Sequence, residues 1–504
     1  MDDSKQRQAY LAALCRTVPY HVVEEILEDP TERSIRTHDF KGTVLIADLV
    51  GFTPLCERRA HSGDDGLSKL STVLNELFGT LLEKAIFPYS GYVVQFGGDS
   101  ITVFYRGADD ARRATESALA AQRLMFDELG RQIEEQSREL MLRVGLARGG
   151  IRLPVLGDLS RRAAVIAGEA ASRAVLMQKN APPNAIAGEL SVIDAMEGNV
   201  EVVDRQENSA VIRGLREWPA THPPVPLGDR ISSHIESKIA LLEAFVPPWF
   251  ASRLRSAPKG WRIEGELRQV VVLFAELWGI DRTAESSEVA LHLSRSILRA
   301  FRRYGGLTLK ADLSDQGHRT LVLFGLHEPS ENDSERALLA ALEATARGRG
   351  YGAARNLDVG VRCGIHTGPV YFGTIGSDAK HDITAVGDAV NVAARATSEA
   401  QPFDVIATEP VLETAGHEFH ASDRGPIRVK GKSEPVRLYV VHSPSEGKSH
   451  FARGRASPRF RAGRDTESSR LRRAVDEAFA GKGPERARSA ARSSIAGSAL
   501  AGLG

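Results

Sequence analysis

The chain has 504 residues, too many for a single hydrophobic core, so two or three domains are expected. Lysine plus arginine and aspartate plus glutamate each number 65, so the net charge is zero and nothing electrostatic favours a nucleic-acid or polybasic membrane-binding protein. The longest apolar run, Val270 to Ile280, is interrupted by Glu276 and falls far short of the ~20 residues that span a bilayer. The opening MDDSKQRQAY lacks the basic-then-apolar pattern of a signal peptide. Cys15, Cys56 and Cys363 are too widely spaced for a disulfide or zinc framework. The expectation is a soluble cytoplasmic protein with no transmembrane segment.

Residues 6–29 carry apolar side chains at helical spacing (Leu11, Leu14, Val18, Val22, Val23, Ile26, Leu27), and Pro30 closes the stretch. Residues 1–34 therefore read as an N-terminal helical packing segment. Thr43-Val-Leu-Ile-Ala-Asp48 is a short apolar run that predicts a buried strand. A helical stretch near 66–86 follows. Gly91-Tyr-Val-Val-Gln-Phe96 and Ser100-Ile-Thr-Val-Phe-Tyr105 then predict a hairpin about Gly97-Gly98-Asp99. A second alanine-rich helix is expected near 109–136.

The chain then repeats itself. Val44-Leu-Ile-Ala-Asp48 resembles Val272-Leu-Phe-Ala-Glu276, and Arg143-Val-Gly-Leu-Ala-Arg-Gly149 resembles Arg362-Cys-Gly-Ile-His-Thr-Gly368. Val165-Ile-Ala-Gly-Glu-Ala170 resembles Ala385-Val-Gly-Asp-Ala389. The order is the same and the offset stays close to ~220 residues, so one fold occurs twice. A first domain is expected over 35–217, a proline-bearing and helical linker over 218–261, and a second domain over 262–445. Trp218, Trp249 and Trp261 flank that linker as candidates for interdomain packing. Residues 446–504, rich in Arg, Ser, Gly and Ala, read as a mostly disordered tail with one possible amphipathic helix over 463–481.

Asp48 closes the first predicted strand, and Leu49-Val-Gly51-Phe52-Thr53 turns into the next helix. Backbone N–H groups at such a turn can cradle a polyphosphate. Asp99 stands at the tip of the predicted hairpin. If that hairpin lies beside the first strand, the two carboxylates converge, and with an amide nest they suit Mg²⁺ shared between protein and phosphate. Either aspartate alone would read as a turn residue. Their pairing carries the inference.

The segments Ile46-Ala-Asp-Leu-Val-Gly-Phe-Thr53, Phe96-Gly-Gly-Asp-Ser100, Gly364-Ile-His-Thr-Gly368 and Val386-Gly-Asp-Ala-Val-Asn-Val-Ala-Ala-Arg395 resemble the class III nucleotidyl cyclases. The tandem layout is similar to the soluble, bicarbonate-responsive adenylyl cyclases and their bacterial relatives, over residues 18–445. The resemblance implies two ferredoxin-like α/β domains (α+β in class) paired head to tail within one chain, acting as a monomer. In such cyclases each site takes metal aspartates from one domain and transition-state residues from the other.

On that basis the first copy holds the metal positions, Asp48 and Asp99, with Leu49 beside them, and Arg143 as the triphosphate arginine. Its transition-state positions are Ser172 and Leu176. The second copy is the complement. Its metal positions read Glu276 and Ser314, while its transition-state Asn391 and Arg395 are intact. Lys310 and Thr384 fall where the family reads adenine. One complete and one degenerate site result.

The implied reaction is attack of the ATP ribose 3′-hydroxyl on the α-phosphorus with loss of pyrophosphate, assisted by two Mg²⁺ or Mn²⁺ ions. Gly51, Phe52 and Thr53 would cradle the phosphates. Lys310 donates to adenine N1 and Thr384 accepts from N6, a pattern guanine reverses, so ATP is favoured over GTP. His366 and Asp388 read as structural members of their motifs.

Three departures stand out. Gln95 and Val175 replace the bicarbonate-binding lysine and arginine of the animal enzymes. No Gly-x-x-x-x-Gly-Lys-Ser/Thr loop follows Gly463-Arg-Asp465, so the ATPase region of the bacterial relatives is not expected. Gly149-Gly150-Ile-Arg-Leu-Pro154 replaces a strand and turn and would weaken the first domain's edge. The competing reading is a pseudo-cyclase that binds ATP as a regulatory module.

Overall fold

In the computed structural model the described residues are 3–30, 37–51, 64–127, 140–158, 161–196, 198–217, 234–260, 262–263, 266–280, 286–314, 317–416, 419–428 and 435–445. All of them lie within one compact unit, Met1–Glu446. The residues assigned to the tail, 446–504, lie outside the described residues, as do Trp218 and Trp261.

The amino-terminal stripe forms two helices, α1 (Asp3–Thr17) and α2 (Tyr20–Glu28), instead of the single helix expected over 6–29. Pro19 has no backbone N–H to donate and disfavours helical backbone at the residue before it, so the helix breaks there. The stripe itself is buried from Leu11 to Leu27.

The first half continues with β1 (His38–Val50), α3 (Asp64–Leu81), β2 (Tyr92–Phe96), β3 (Ser100–Arg106), α4 (Asp110–Asp127) and β4 (Met141–Leu153). It ends with the hairpin β5 (Val155–Asp158) and β6 (Arg161–Ala164), then α5 (Glu169–Asn180), β7 (Ile186–Glu189), α6 (Leu190–Asp194), β8 (Val200–Val203) and β9 (Ser209–Leu215). Helices α7 (Ile235–Glu243) and α8 (Pro248–Ser256) connect to the second half. That half runs β10 (Glu266–Trp278), α9 (Ser286–Arg303), β11 (Leu307–Ser314), β12 (Gly317–Phe324), α10 (Asp333–Arg355) and β13 (Gly360–Gly376). It closes with β14 (His381–Val386), α11 (Asp388–Glu399), β15 (Val405–Thr408), α12 (Glu409–Thr414), β16 (Phe419–Ile427) and β17 (Val436–Pro444).

Strand order is β2-β3-β1-β4-β7-β9-β8 in the first sheet and β11-β12-β10-β13-β15-β17-β16 in the second, with β14 added on β13. In each sheet the long first strand lies antiparallel between the hairpin strand β3 or β12 and the strand β4 or β13. The parallel pairs β4–β7 and β13–β15 are joined through α5 and α11, the βαβ crossover of a ferredoxin-like unit. Thr43–Ala47 and Val270–Ala275 are buried, which is why they read as unbroken apolar runs. Gly149 to Leu153, expected to weaken an edge, instead stays in β4 and pairs in register with Gly42 to His38 of β1.

The two halves grip each other reciprocally. The β5–β6 hairpin of the first lies on α9 of the second, where Arg295 Nε donates to the Gly157 carbonyl at 2.8 Å. The β13–β14 hairpin of the second lies on α3 of the first, where Asn75 Oδ1 accepts from Gly376 N at 2.9 Å. Both partners of one contact are displaced from those of the other by about 220 residues, so the pairing is pseudo-twofold. Only glycine fits the two turns: φ is +96° at Gly157 and +123° at Gly376, and a Cβ would sit 2.1 Å from the Arg161 carbonyl oxygen and 2.3 Å from that of Lys380, across the same hairpin. Tyr371, Ile375 and Val386 enter the core of the first half, and Leu156 and Val165 enter that of the second.

Helices α1 and α2 straddle this junction. Tyr20 packs on Tyr92 with ring centroids 5.4 Å apart, and Glu24 pairs with Arg106 at 2.7 Å, both on the β2–β3 hairpin. On the other side Lys380 Nζ donates to the Thr17 carbonyl at 2.8 Å, capping α1 from β14's side of the second half. Trp249, on α8, packs its ring against His327 and Phe372 of the second half.

Candidate active site

Strand β1 carries Asp48 near its carboxyl end, opposite Ser100 of β3 on one side and Arg143 of β4 on the other. Leu49 N donates to the Asp99 carbonyl at 2.9 Å. The hairpin therefore lies beside the first strand, and Asp48 and Asp99 stand on adjacent strand ends. Both are half-buried. Asp48 Oδ2 accepts a hydrogen bond from Gln178 Nε2 of α5 at 3.1 Å. Arg143 has its Nε buried with no hydrogen-bond partner among the described residues. Gly51 turns the chain away from β1 with φ +91°. Phe52 and Thr53, assigned to the phosphate cradle, lie outside the described residues.

The second half presents a different set. Lys310 Nζ on β11 donates to Thr384 Oγ1 on β14 at 3.1 Å and to the Phe96 carbonyl of the first half at 2.5 Å. Phe96 is the last residue of β2, at the base of the turn that carries Asp99. An ammonium has three N–H donors and no acceptor, so one N–H remains for a ligand. Thr384 is fully buried.

Helix α11 lies flat on β13 because Gly364 has no side chain; a Cβ there would meet Thr397 N at 2.2 Å. Ala389, Val392, Ala393 and Ala396 fill the buried side of α11. Asn391 and Arg395, one turn apart, share its exposed side. Asp388 occupies the first turn, where a carboxylate complements the helix dipole. His366 is buried, its Nδ1 2.8 Å from Thr408 Oγ1, which agrees with a structural role.

At the pseudo-equivalent place in the second half the chemistry is inverted. Glu276, the counterpart of Asp48, is wholly buried between two guanidinium groups. Arg319 reaches its Oε2 with Nε at 3.0 Å and Nη2 at 2.6 Å. Arg362, the counterpart of Arg143, reaches Oε1 with Nε at 2.9 Å and also with Nη2. Two guanidinium groups thus hold both oxygens of this carboxylate, where they would compete with any metal ion. A cavity of about 860 Å³ survives on this side, lined by Ser172, Arg173 and Arg152 from the first half and Ile280 and His318 from the second.

Sequence reasoning missed Arg319 and Gln178. Arg319 carries a signal in hindsight, a charge at the head of the apolar strand Thr320–Phe324, in the register position that Ser100 holds in the first copy. Gln178 carries none, since a glutamine on a helix near Lys179 reads as solvated surface.

A family model described as the adenylate and guanylate cyclase catalytic domain matches the chain twice, over residues 37–221 and 264–443. The adenylate cyclase type 10 of Oryctolagus cuniculus is 23% identical over 388 residues, 71% of this chain and 24% of its own length. An adenylate cyclase of Mycobacterium bovis is 29% identical over 205 residues, 40% of this chain and 46% of its own. The chain thus spans about a quarter of the first relative and under half of the second. Among solved structures, a class III adenylyl cyclase-like ATP-binding protein from Pseudomonas aeruginosa shares the fold over 80% of this chain and 92% of its own, with a TM-score of 0.52 at 13% identity.

Proposed function

Because the chain belongs to the adenylate and guanylate cyclase family and carries the catalytic domain twice, we propose that it converts ATP to 3′,5′-cyclic AMP and pyrophosphate at a single site between its halves. The observation that carries this reading is the Lys310 contact. A base-reading pair from the second half is hydrogen-bonded to the strand that leads to Asp99 in the first. The Arg319–Glu276–Arg362 cluster supports this reading, because the arginines compete with a metal ion for the carboxylate of the second site.

Asp48, Asp99 and the Leu49 carbonyl would hold two Mg²⁺ or Mn²⁺ ions. The donor set fits a hard cation, and no group of three or more His, Cys, Asp or Glu among the described residues could hold a metal ion. Two carboxylates leave coordination positions for phosphate oxygens, as suits an ion that arrives with its nucleotide. When bound, such ions acidify the ribose 3′-hydroxyl and stabilise the leaving pyrophosphate. Arg143 holds the β- and γ-phosphates, for which a fork of N–H donors is suited. Arg395 meets charge developing at the α-phosphate and Asn391 orients the ribose. The third Lys310 N–H donates to adenine N1, and Thr384 accepts from N6. The nucleophile is tethered to its electrophile, so these residues orient and neutralise more than they activate.

We place the protein in the cytoplasm as a monomer; no helix among the described residues is long and apolar enough to cross a membrane. The test is turnover by the purified chain with ATP and Mn²⁺, and by its Asp99→Asn variant. Cyclic AMP from the parent and none from the variant supports the reading. ATP binding with no product from the parent would identify the regulatory ATP-binding module instead.

A further inference from the structure

Helix α5 lies on β4 at Gly145, where a Cβ would sit 2.2 Å from Gln178 N and 2.4 Å from the Ala174 carbonyl. This close approach puts Gln178 against the sheet, within reach of the neighbouring strand β1. Its amide donates to Asp48 Oδ2 at 3.1 Å. The second half repeats the packing but not the contact. Gly364 brings Thr397 equally close, and Thr397 Oγ1 turns back to the Ala393 carbonyl of its own helix at 2.8 Å. There the equivalent carboxylate, Glu276, is held by arginines.

The difference has a chemical meaning. A guanidinium both orients a carboxylate and neutralises it, so it competes with a metal ion for the same oxygens. A neutral amide fixes one oxygen without adding a positive charge of its own. Groups that orient a metal-binding carboxylate from behind commonly alter metal affinity or activity by ~10–100-fold when removed.

We infer that Gln178 is a positioning residue that orients the metal-binding carboxylate of Asp48. This rests on the proposed metal role of Asp48 and Asp99, and it adds a residue whose counterpart in the degenerate copy has lost the task.

The test is calorimetric titration with 3′-deoxy-ATP, which lacks the nucleophile, at a series of fixed Mn²⁺ concentrations. The readout is the Mn²⁺ needed for half-maximal nucleotide binding. Gln178→Met keeps the length of the side chain and removes its donor. It should need roughly tenfold more Mn²⁺ than the parent, with an unchanged melting temperature. At saturating Mn²⁺ its KM for ATP should return to the parent's value, a recovery that a packing defect would not give. If Gln178→Met melts early, Gln178→Ala is read in the same way. A variant that stays folded and needs no more Mn²⁺ than the parent overturns the role of Gln178 alone. An Asp99→Asn chain that needs no more Mn²⁺ than the parent overturns the metal site, and this inference with it.

Discussion

Arg395 and Leu176 occupy the same position on α11 and α5, one in each copy, and both are exposed. Arg395→Ala should lower kcat by ~10²–10³, the usual cost of removing one preorganised transition-state donor, and should change ATP affinity much less. Leu176→Ala should leave turnover unchanged. Equal losses at both positions, measured as kcat, would contradict a single site. On the proposed reading base choice rests on Lys310, whose remaining N–H would suit adenine N1 and oppose the N1–H of guanine, a buried mismatch of roughly 1–3 kcal/mol or about ten- to a hundredfold. Lys310→Glu with Thr384→Cys should therefore shift the ratio of kcat/KM toward GTP. Overall rate should fall as well, because a carboxylate would face the Phe96 carbonyl that Lys310 now satisfies. A ratio that stays put while both activities persist would mean other residues read the base. Lys310 and Thr384 were legible in the sequence as a pair, because each falls where the family resemblance places such a residue, and the structure brings the two side chains together. Gln178 and Arg319 were not, because their roles depend on which strand lies next to which, and a single sequence does not carry that adjacency.

The helix pair α1–α2 buries a pH-sensitive element. His21 is buried against the edge of the Phe104 ring, centroids 5.8 Å apart, with neither ring nitrogen hydrogen-bonded to any of the described residues. Burial, and then the charges of His38, Arg106 and Lys380, push its pKa down to about 3. His381 is likewise pushed down to about 3 by burial and by Lys380. Above the ordinary histidine value of about 6.5 both rings are neutral in folded and unfolded chain alike, so no proton is taken up on unfolding. Below it the unfolded chain binds protons that the folded chain refuses. Stability is therefore complete above about pH 6.5 and is lost as pH falls toward 3, by up to ~1.4 kcal/mol per pH unit for each histidine. The urea midpoint should be lower at pH 5 than at pH 7.5, and His21→Leu should remove about half of that difference. A midpoint indifferent to pH in this range would count against the buried neutral state. The apolar stripe was readable, but as one helix over 6–29; Pro19 carried the signal for the break, which the reading passed over. The stripe stays in phase across the break because both helices face the same core, so periodicity alone does not register it.

Across the whole molecule, the internal repeat was enough to expect one fold twice, and the resemblance of its motifs identified that fold as the cyclase type. What it did not disclose was the reciprocal clasp, Arg295 on Gly157 and Gly376 on Asn75, since neither pair belongs to a motif. Gln95 and Val175 are both buried, and Val175 packs in an apolar cluster with Val94 and Phe104, so neither offers bicarbonate a cationic ligand. Bicarbonate added at fixed pH should leave the rate of cyclic AMP formation unchanged. A saturable activation that vanishes on changing Gln95 would show otherwise. The central claim is that one chain builds one catalytic site, with carboxylates from the first half and base-reading and transition-state groups from the second. It is tested most directly by the stoichiometry of 3′-deoxy-ATP binding in saturating Mn²⁺, measured by calorimetry on the purified chain. One metal-dependent nucleotide should bind per chain, and Asp99→Asn should abolish it. Two metal-dependent nucleotides per chain, or one that survives Asp99→Asn, would contradict the claim.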